Sequence, residues 1–290
     1  APIWEANHIW LIIAVVILFN GFPAVYTSVS VALYIPLILL LLGIVFRGTA
    51  FTFRHYDAIK DKSQEVYSKI FSWSSAAVIF FFGLVVGAAV SNKILLKPDD
   101  FYEGYIYPWL NLFSISIGLF LCALFAFLAS VYLISTYTDD LTRKEFLLKT
   151  KIANLAAIIT GGFVFISSII EDVGFAGKFF SDAVSIILLM LATIMIPLLW
   201  FFLDRKWTWM SRFAAGAQLL FILGAFYKVY YPVIVVIGDG EDLNLLNTAA
   251  PHTTLLYLGW ALIIGSLLIF PALFFLYRVF KSEYTDSSLT

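Results

Sequence analysis

The start of the chain combines an acid with an imidazole at helical spacing. Glu5 and His8 are three residues apart, so on a helix they share one face about one turn apart, with Trp4 close by. Because both groups can titrate near neutral pH, the three residues could pass protons into a membrane helix from its cytoplasmic mouth. The alternative is structural: Glu5 favours the positive end of the helix dipole, and His8 is a residue of the membrane margin. Spacing alone favours the structural interpretation.

Strong ligands for a haem or a metal ion are scarce in this sequence. It contains three histidines, three methionines and one cysteine, whereas such centres depend on histidine, cysteine or methionine ligands. His55 falls in a basic connection, His252 falls in an outer connection, and only His8 begins a membrane helix. Cys122 has no disulfide partner and lies in an apolar run, where packing explains it. We therefore predict no catalytic residue, no metal ligand and no haem ligand on this chain.

Lys228 is a cation inside an apolar run. A lysine at the bilayer centre costs about 2.5–3.5 kcal/mol, so the side chain must pair, face a cavity or reach the interface. The run continues only a short way beyond Lys228, which favours a side chain that extends to the outer interface beside Tyr230 and Tyr231. A buried ion pair or a bound anion is the alternative. Four other polar residues are interpreted as helix contacts or boundaries: Asn111, Glu171, Asp172 and Gln218.

The composition indicates whether water or lipid surrounds the helices that carry these residues. Of 290 residues, 62% are hydrophobic and only 13% are charged, and the mean hydropathy is +0.95. Soluble domains are about 45–50% apolar and about 25% charged. Lipid must therefore surround most of the chain, which excludes a soluble enzyme. The net charge of −1 gives no basic excess for binding nucleic acid.

Eight apolar runs are long enough to cross a bilayer as helices. We therefore predict an all-α polytopic transmembrane bundle of about eight helices that forms a single domain over residues 1–290. The predicted spans are Trp4–Phe22, Ala24–Phe46, Ile70–Ser91, Trp109–Ser135, Ile152–Ile170, Ala183–Leu203, Trp209–Ile237 and Thr254–Tyr277.

The basic residues predict the orientation. Fourteen of the 18 lysines and arginines fall in one alternating set of connections, at 47–69, 138–151, 204–212 and from 278 onward. Only three fall in the other set, at 92–108, 171–182 and 238–253. Because cytoplasmic loops carry the excess of lysine and arginine, the first set is predicted to be cytoplasmic, together with both ends of the chain.

Three stretches together resemble subunit II of the cytochrome bd quinol oxidases. The signature at that family's second helix is similar to Pro2-Ile-Trp-Glu-Ala-Asn-His-Ile-Trp-Leu11, which contains Asn7 and Trp10. The family's arginine-bearing cytoplasmic connection is similar to the stretch from Phe46 to Arg54, which also contains Arg47. The outer loop before the last helix is similar to Tyr231-Pro232 followed by residues 247–255.

The resemblance implies a place in a larger complex. The family has nine helices, and this chain resembles helices two to nine, so we expect the first helix to be missing. The implied partner is subunit I, which forms a heterodimer with subunit II, holds haem b and haem d, oxidises quinol and reduces oxygen to water. The expected location is the bacterial cytoplasmic (inner) membrane. Members of the family can also hold a quinone in the apolar grooves of subunit II.

The resemblance also implies roles for single residues. The acid and tryptophan of the signature are associated with proton delivery from the cytoplasm, and these positions are Trp4 and Glu5 here. His8 lies beside them at a position where members differ. The remaining candidates are structural or interface residues: Asn7, Trp10, Arg47, Arg54 and Lys228. For the two arginines, contact with lipid headgroups and the excess of basic residues on the cytoplasmic side are equally good explanations.

Two other classes of function compete with the oxidase subunit. A secondary transporter could use Glu5, Glu171 and Lys228 as coupling charges, but it should have helices interrupted near the membrane midplane. Pro197 and Pro232 lie near the ends of predicted spans instead, which weakens this alternative. A purely structural anchor for another membrane complex is the third class.

Overall fold

The computed structural model describes residues 2–56, 62–134 and 140–286, and it describes side chains within 10–56, 62–134 and 143–275. The chain divides into two compact units. Unit 1 comprises Ala1–Ser28 and Leu243–Thr290, and unit 2 comprises Val29–Asp242. The prediction of a single domain over residues 1–290 stays a prediction.

Helices dominate both units, with two short strands. In chain order the elements are α1 (Pro2–Gly21), α2 (Pro23–Ala32), α3 (Tyr34–Tyr56), α4 (Ser63–Val90), α5 (Phe101–Tyr105), α6 (Leu112–Ile134), α7 (Asp140–Ile170), α8 (Phe175–Ser181), α9 (Ala183–Asp204), α10 (Thr208–Tyr230), β1 (Val233–Val235), β2 (Leu243–Asn244) and α11 (His252–Asp286).

The membrane spans agree with the predicted fold class. Among the described residues, seven helices are long and apolar enough to cross a bilayer: α3, α4, α6, α7, α9, α10 and α11. An eighth span is obtained if the segments Trp10–Gly21 and Pro23–Ala32 are counted together, although they are bent by 114° at their junction. The prediction of an all-α polytopic bundle with about eight helices is confirmed.

Two predicted spans differ from the observed helices. The run Ala24–Phe46 is not one helix, since α2 ends at Ala32 and α3 begins at Tyr34 and continues to Tyr56. The division that was predicted between the first two runs does fall at the sharp bend before Pro23, because a proline has no N–H to donate and disfavours helical backbone in the residue before it. The same rule ends α10 at Tyr230, seven residues short of the predicted Ile237, because Tyr231 precedes Pro232 and has extended backbone (ψ 131°).

Small residues set a close helix crossing in unit 2. Gly83 and Gly87 on α4 face Gly118 and Ser114 on α6. A Cβ atom at Gly83 would lie 2.6 Å from the Cα atom of Gly118, and one at Gly87 would lie 2.7 Å from the Cα atom of Ser114. Facing pairs of small residues four apart let two membrane helices approach closely, so van der Waals packing can hold them in lipid.

Two buried clusters form the core of unit 2. The first packs Phe113 and Ile117 of α6 against Phe175, whose ring stacks on Tyr230 with centroids 5.9 Å apart. The second is nearer the predicted cytoplasmic face and joins α6, α9 and α10 through Leu124, Phe127, Val131, Leu199, Leu203 and Ala215. One cluster lies toward each end of the bundle, and together the two clusters hold in place the helices that carry the candidate charged residues.

Unit 1 is built around α1 and α11, which pack together. The rings of Trp10 and Phe270 lie 5.8 Å apart. The N–H of Ala250 donates a 2.8 Å hydrogen bond to the carbonyl of Gly21, which fixes the entry to α11 at the end of α1. A groove of about 500 Å³ follows one face of α11 from Leu262 to Pro271.

Candidate functional site

The structure places the predicted proton-path residues in the first turns of α1. This helix begins at Pro2, so Glu5 and His8 are one helical turn apart as their spacing predicts. The side chains of Trp4, Glu5, Asn7 and His8 lie outside the described residues. Their roles therefore stay predictions.

Trp10, the next candidate along α1, has a described side chain. Its indole is partly exposed, and one edge is covered by Phe270 of α11. This contact joins the two helices of unit 1, and the structural role of Trp10 stays a prediction that the contact supports.

The two candidate arginines lie on the part of α3 that is predicted to be cytoplasmic. The guanidinium of Arg47 lies over the ring of Phe71 on α4, 5.4 Å from its centroid. A cation above an aromatic face is attracted by the electron density of the ring, so Arg47 helps to join α3 to α4. Arg54 is exposed in the last turn of α3. Its position favours contact with water or lipid headgroups, and it also suits the negative end of the helix dipole.

Lys228 lies beside an acid at the predicted outer end of α10. Its Nζ atom is 3.8 Å from Oδ1 of Asp182, and 47% of the lysine side chain is exposed. Asp182 is the N-cap of α9 and accepts hydrogen bonds from the backbone N–H and the hydroxyl of Ser185. These hydrogen bonds, and then the charge of Lys228, hold the pKa of Asp182 below its usual value. Tyr230 does not accompany the lysine, because it is buried against Phe175.

Glu171 connects three elements at the predicted outer end of unit 2. One carboxylate oxygen accepts the N–H of Leu112, the first residue of α6, at 3.1 Å. The other oxygen is 3.8 Å from Nζ of Lys93, whose ammonium also lies over the ring of Tyr107. An anion at a helix N-terminus meets both unpaired N–H groups and the positive dipole end. Glu171 therefore has a structural role at the end of a span, which weakens its assignment as a coupling charge of a transporter.

Asn111 provides the neighbouring cap of α6. Its side-chain oxygen accepts the N–H of Ser114 at 2.8 Å, and its amide donates to the carbonyl of Pro108. An asparagine immediately before an apolar helix is a typical N-cap signal. The interpretation of Asn111 as a helix boundary is confirmed.

Asp239 is an important structural residue that sequence reasoning missed. Its two carboxylate oxygens accept the backbone N–H groups of Leu96 and Lys97, at 2.7 and 3.0 Å. These bonds, that of Leu96 first, hold the pKa of Asp239 below its usual value. Gly238 makes the approach possible, because a Cβ atom there would lie 2.9 Å from the carbonyl oxygen of Asn92. The connection after α10 is thereby fixed to the connection after α4.

The histidines with described side chains do not form a haem pocket. His55 is exposed in the last turn of α3, where it stacks on Phe51, and His252 is exposed at the first position of α11. Neither histidine lies in the interior of its helix, where an axial ligand of a membrane haem would be needed. In the part of the chain that the structure describes, no group of three His, Cys, Asp or Glu side chains is placed to hold a metal ion.

Comparison with known proteins assigns the family. Residues 1–280 match the family model described as cytochrome bd terminal oxidase subunit II. The chain belongs to this family. The match includes the three stretches that suggested the resemblance, so the prediction from the sequence is confirmed.

Two relatives of this bd oxidase subunit II carry the same subunit name. The chain is 25% identical over 260 residues to the cytochrome bd ubiquinol oxidase subunit 2 of Bacillus subtilis (strain 168), which covers 86% of this chain and 72% of that protein. It is 29% identical over 173 residues to the cytochrome bd-I ubiquinol oxidase subunit 2 of Escherichia coli (strain K12). That match covers 55% of this chain and 42% of the Escherichia coli protein, so it spans less than half of that relative.

A solved structure supports the fold of this bd oxidase subunit II. The chain is similar to a chain of the bd oxidase from Geobacillus thermodenitrificans, with a TM-score of 0.72 and 16% sequence identity. The superposition covers 96% of this chain and 83% of that chain. This likeness shows the fold, and the family match together with the apolar helices identifies the chain as a multi-pass membrane subunit of an oxidoreductase complex.

Proposed function

We propose that this chain is the subunit II that supports a haem-bearing subunit I in a bacterial quinol:oxygen oxidoreductase. The observation that carries the proposal is the family match over residues 1–280, together with a fold shared with a bd oxidase. The complex would take electrons from quinol, reduce oxygen to water and lie in the cytoplasmic membrane. Electron transfer would take place in the partner chain.

The positions of the histidines support the assignment of electron transfer to the partner chain. His55 and His252 are exposed at helix ends and unsuited to hold a haem within the bilayer. Haem b and haem d are accordingly assigned to subunit I. This chain would contribute packing surface, and its apolar grooves would accommodate lipid or a quinone.

Proton uptake from the cytoplasm is the second part of the proposal. Trp4, Glu5 and His8 occupy the first turns of α1, which the distribution of basic residues places on the cytoplasmic side. A carboxyl and an imidazole one turn apart can exchange a proton directly or through water. Protons would enter at Glu5 and continue toward the haems of the partner.

Purification of the native complex tests the first part of the proposal. We expect the chain to copurify with a larger subunit and the preparation to show haem b and haem d bands in a reduced-minus-oxidised visible spectrum. A colourless preparation without a partner would contradict the proposal and favour a transporter or an anchor.

Substitution of Glu5 by Gln tests the proton path. The substitution preserves size and removes the titrating group, so oxygen reduction should slow several-fold while assembly and haem content stay unchanged. The matched control is Glu65→Gln, because Glu65 is an exposed acid in the first turn of α4, on the same predicted side of the membrane. Normal turnover in an assembled Glu5→Gln complex would exclude this role for Glu5.

A further inference from the structure

A row of polar side chains leads inward from the predicted cytoplasmic end of α7 and α9. Nζ of Lys151 on α7 lies 2.9 Å from Oδ1 of Asp204 at the end of α9, and both side chains are partly exposed. The same ammonium lies over the indole of Trp200, 5.7 Å from the ring centroid. One turn deeper, the indole N–H of Trp200 donates a 3.3 Å hydrogen bond to Oδ1 of Asn154.

Asn154 is wholly buried, and only one of the two polar atoms of its side-chain amide has a hydrogen-bond partner among the described residues. Its exposed fraction is 0%, and its Nδ2 atom has no hydrogen-bond partner among the described residues. The assignment of the two amide atoms is fixed by Trp200, because an indole N–H can only donate and must face the oxygen. A buried amide N–H without an acceptor is costly, so this group should have a partner in the folded protein.

Thr150 provides a second polar atom on the same face of α7. It lies four residues before Asn154 and is also 0% exposed. Its hydroxyl donates to the carbonyl of Phe146, which leaves lone pairs free to accept. Side chains four apart on a helix have Cβ atoms about 5–6 Å apart, a gap that one molecule with donor and acceptor capacity can bridge.

Side chains connect α7 to α9 at this depth. The backbone of α7 packs closely on α6, and that of α9 packs closely on α10. Between α7 and α9, the described contacts are instead made by the long side chains of Lys151 and Trp200. Leu147 and Ala153 of α7 pack against the second cluster, so apolar residues flank the two polar ones. A buried water needs two to four polar partners, and Thr150 and Asn154 supply two.

We propose that Thr150 and Asn154 bind one buried water molecule beneath the Lys151–Asp204 pair. The water accepts a hydrogen bond from Nδ2 of Asn154 and donates one to Oγ1 of Thr150. It thereby completes the polar connection from α7 through Asn154 to Trp200 on α9. Water reaches the site from the cytoplasm, because the ion pair above it is partly exposed.

The direct test is a cryo-EM map of the unmodified complex that resolves ordered water. We expect a compact density peak within hydrogen-bond distance of both Nδ2 of Asn154 and Oγ1 of Thr150. The proposal is overturned if Nδ2 donates to a protein acceptor instead, if the position is empty, or if an elongated density from a lipid or quinone occupies it.

A double-mutant cycle gives a second measurement. Asn154→Leu and Thr150→Val preserve shape and remove the polar atoms, so either change alone should release the water. The shifts in the thermal unfolding midpoint should therefore be non-additive, and the double variant should resemble Asn154→Leu alone. The control is Thr160→Val, since the Thr160 hydroxyl donates within its own helix to Ala156 and its effect should add to that of Asn154→Leu. Additive shifts for the Thr150 pair would contradict a shared water.

Discussion

Gly87→Ala should weaken the crossing of α4 and α6 in unit 2. The new Cβ atom would lie 2.7 Å from the Cα atom of Ser114 and 3.2 Å from its Cβ atom. Carbon atoms in favourable contact are about 3.5–4.0 Å apart, so α4 and α6 would have to separate by about 1 Å. Overpacking of this kind costs about 1–3 kcal/mol. Alanine recovers about 0.5–1 kcal/mol through its better helix propensity, which leaves a net loss of about 1 kcal/mol, and at most about 2.5 kcal/mol.

The matched control is Gly162→Ala on α7, where a Cβ atom would meet nothing within 4 Å. The same chemical change there should leave stability unchanged or raise it by about 0.5–1 kcal/mol. Reversible unfolding of the purified complex in mixed detergent micelles, followed by helical circular dichroism, measures both variants on one scale. The steric reasoning is refuted if Gly87→Ala is as stable as Gly162→Ala.

Two further predictions concern the carboxylates at the outer end of unit 2. The pKa of Asp239 is below its ordinary value near 3.8, so its stabilising effect should be complete above that pH and lost as the pH falls through the lowered value. The protection factors of the Leu96 and Lys97 amides, which correct for the intrinsic pH dependence of hydrogen exchange, should fall over this acid range in the wild type, and Asp239→Asn should remove that fall; a variant whose protection still fell would contradict this. Glu171→Ala removes the acceptor of the Leu112 N–H and should cost about 1–2 kcal/mol in the same unfolding assay, whereas Glu171→Gln keeps an acceptor and should cost less. Equal losses would show that the bond to Leu112 is unimportant.

Hydropathy and basic-residue counts predicted the helix content and the number of spans, because both depend on local composition. They divided the first two runs at Pro23, where α1 and α2 meet at 114°. They missed the break at Leu33 between α2 and α3, since an average over about 20 residues is unchanged when the helix is interrupted within it. Pro232 was a visible signal for the end of α10, which the prediction instead placed at Ile237.

Whether a polar contact could be predicted depends on how far apart its residues lie in the sequence. The N-cap at Asn111 acts three residues along the chain, so its residue type and position indicated its role. The acceptor role of Glu171 joins residues 59 apart, and that of Asp239 joins residues up to 143 apart. No local pattern contains those pairs, because the packing of whole helices decides which backbone N–H groups come near each carboxylate.

The positions of the charged residues in unit 2 bear on where proton transfer could occur. Lys228 lies near the end of α10, Glu171 follows the last residue of α7, and Lys151 lies just before the predicted apolar span of α7; each is within 3.8 Å of an opposite charge. Paired charges near the membrane surfaces stabilise helix ends and need no role in transport. In the region of α7 and α9 that the structure describes, the polar interior is reached through Trp200 and Asn154, which do not titrate. The sequence places an acid and a histidine three residues apart in α1 instead, and this contrast is the reason to direct the first functional substitution at Glu5.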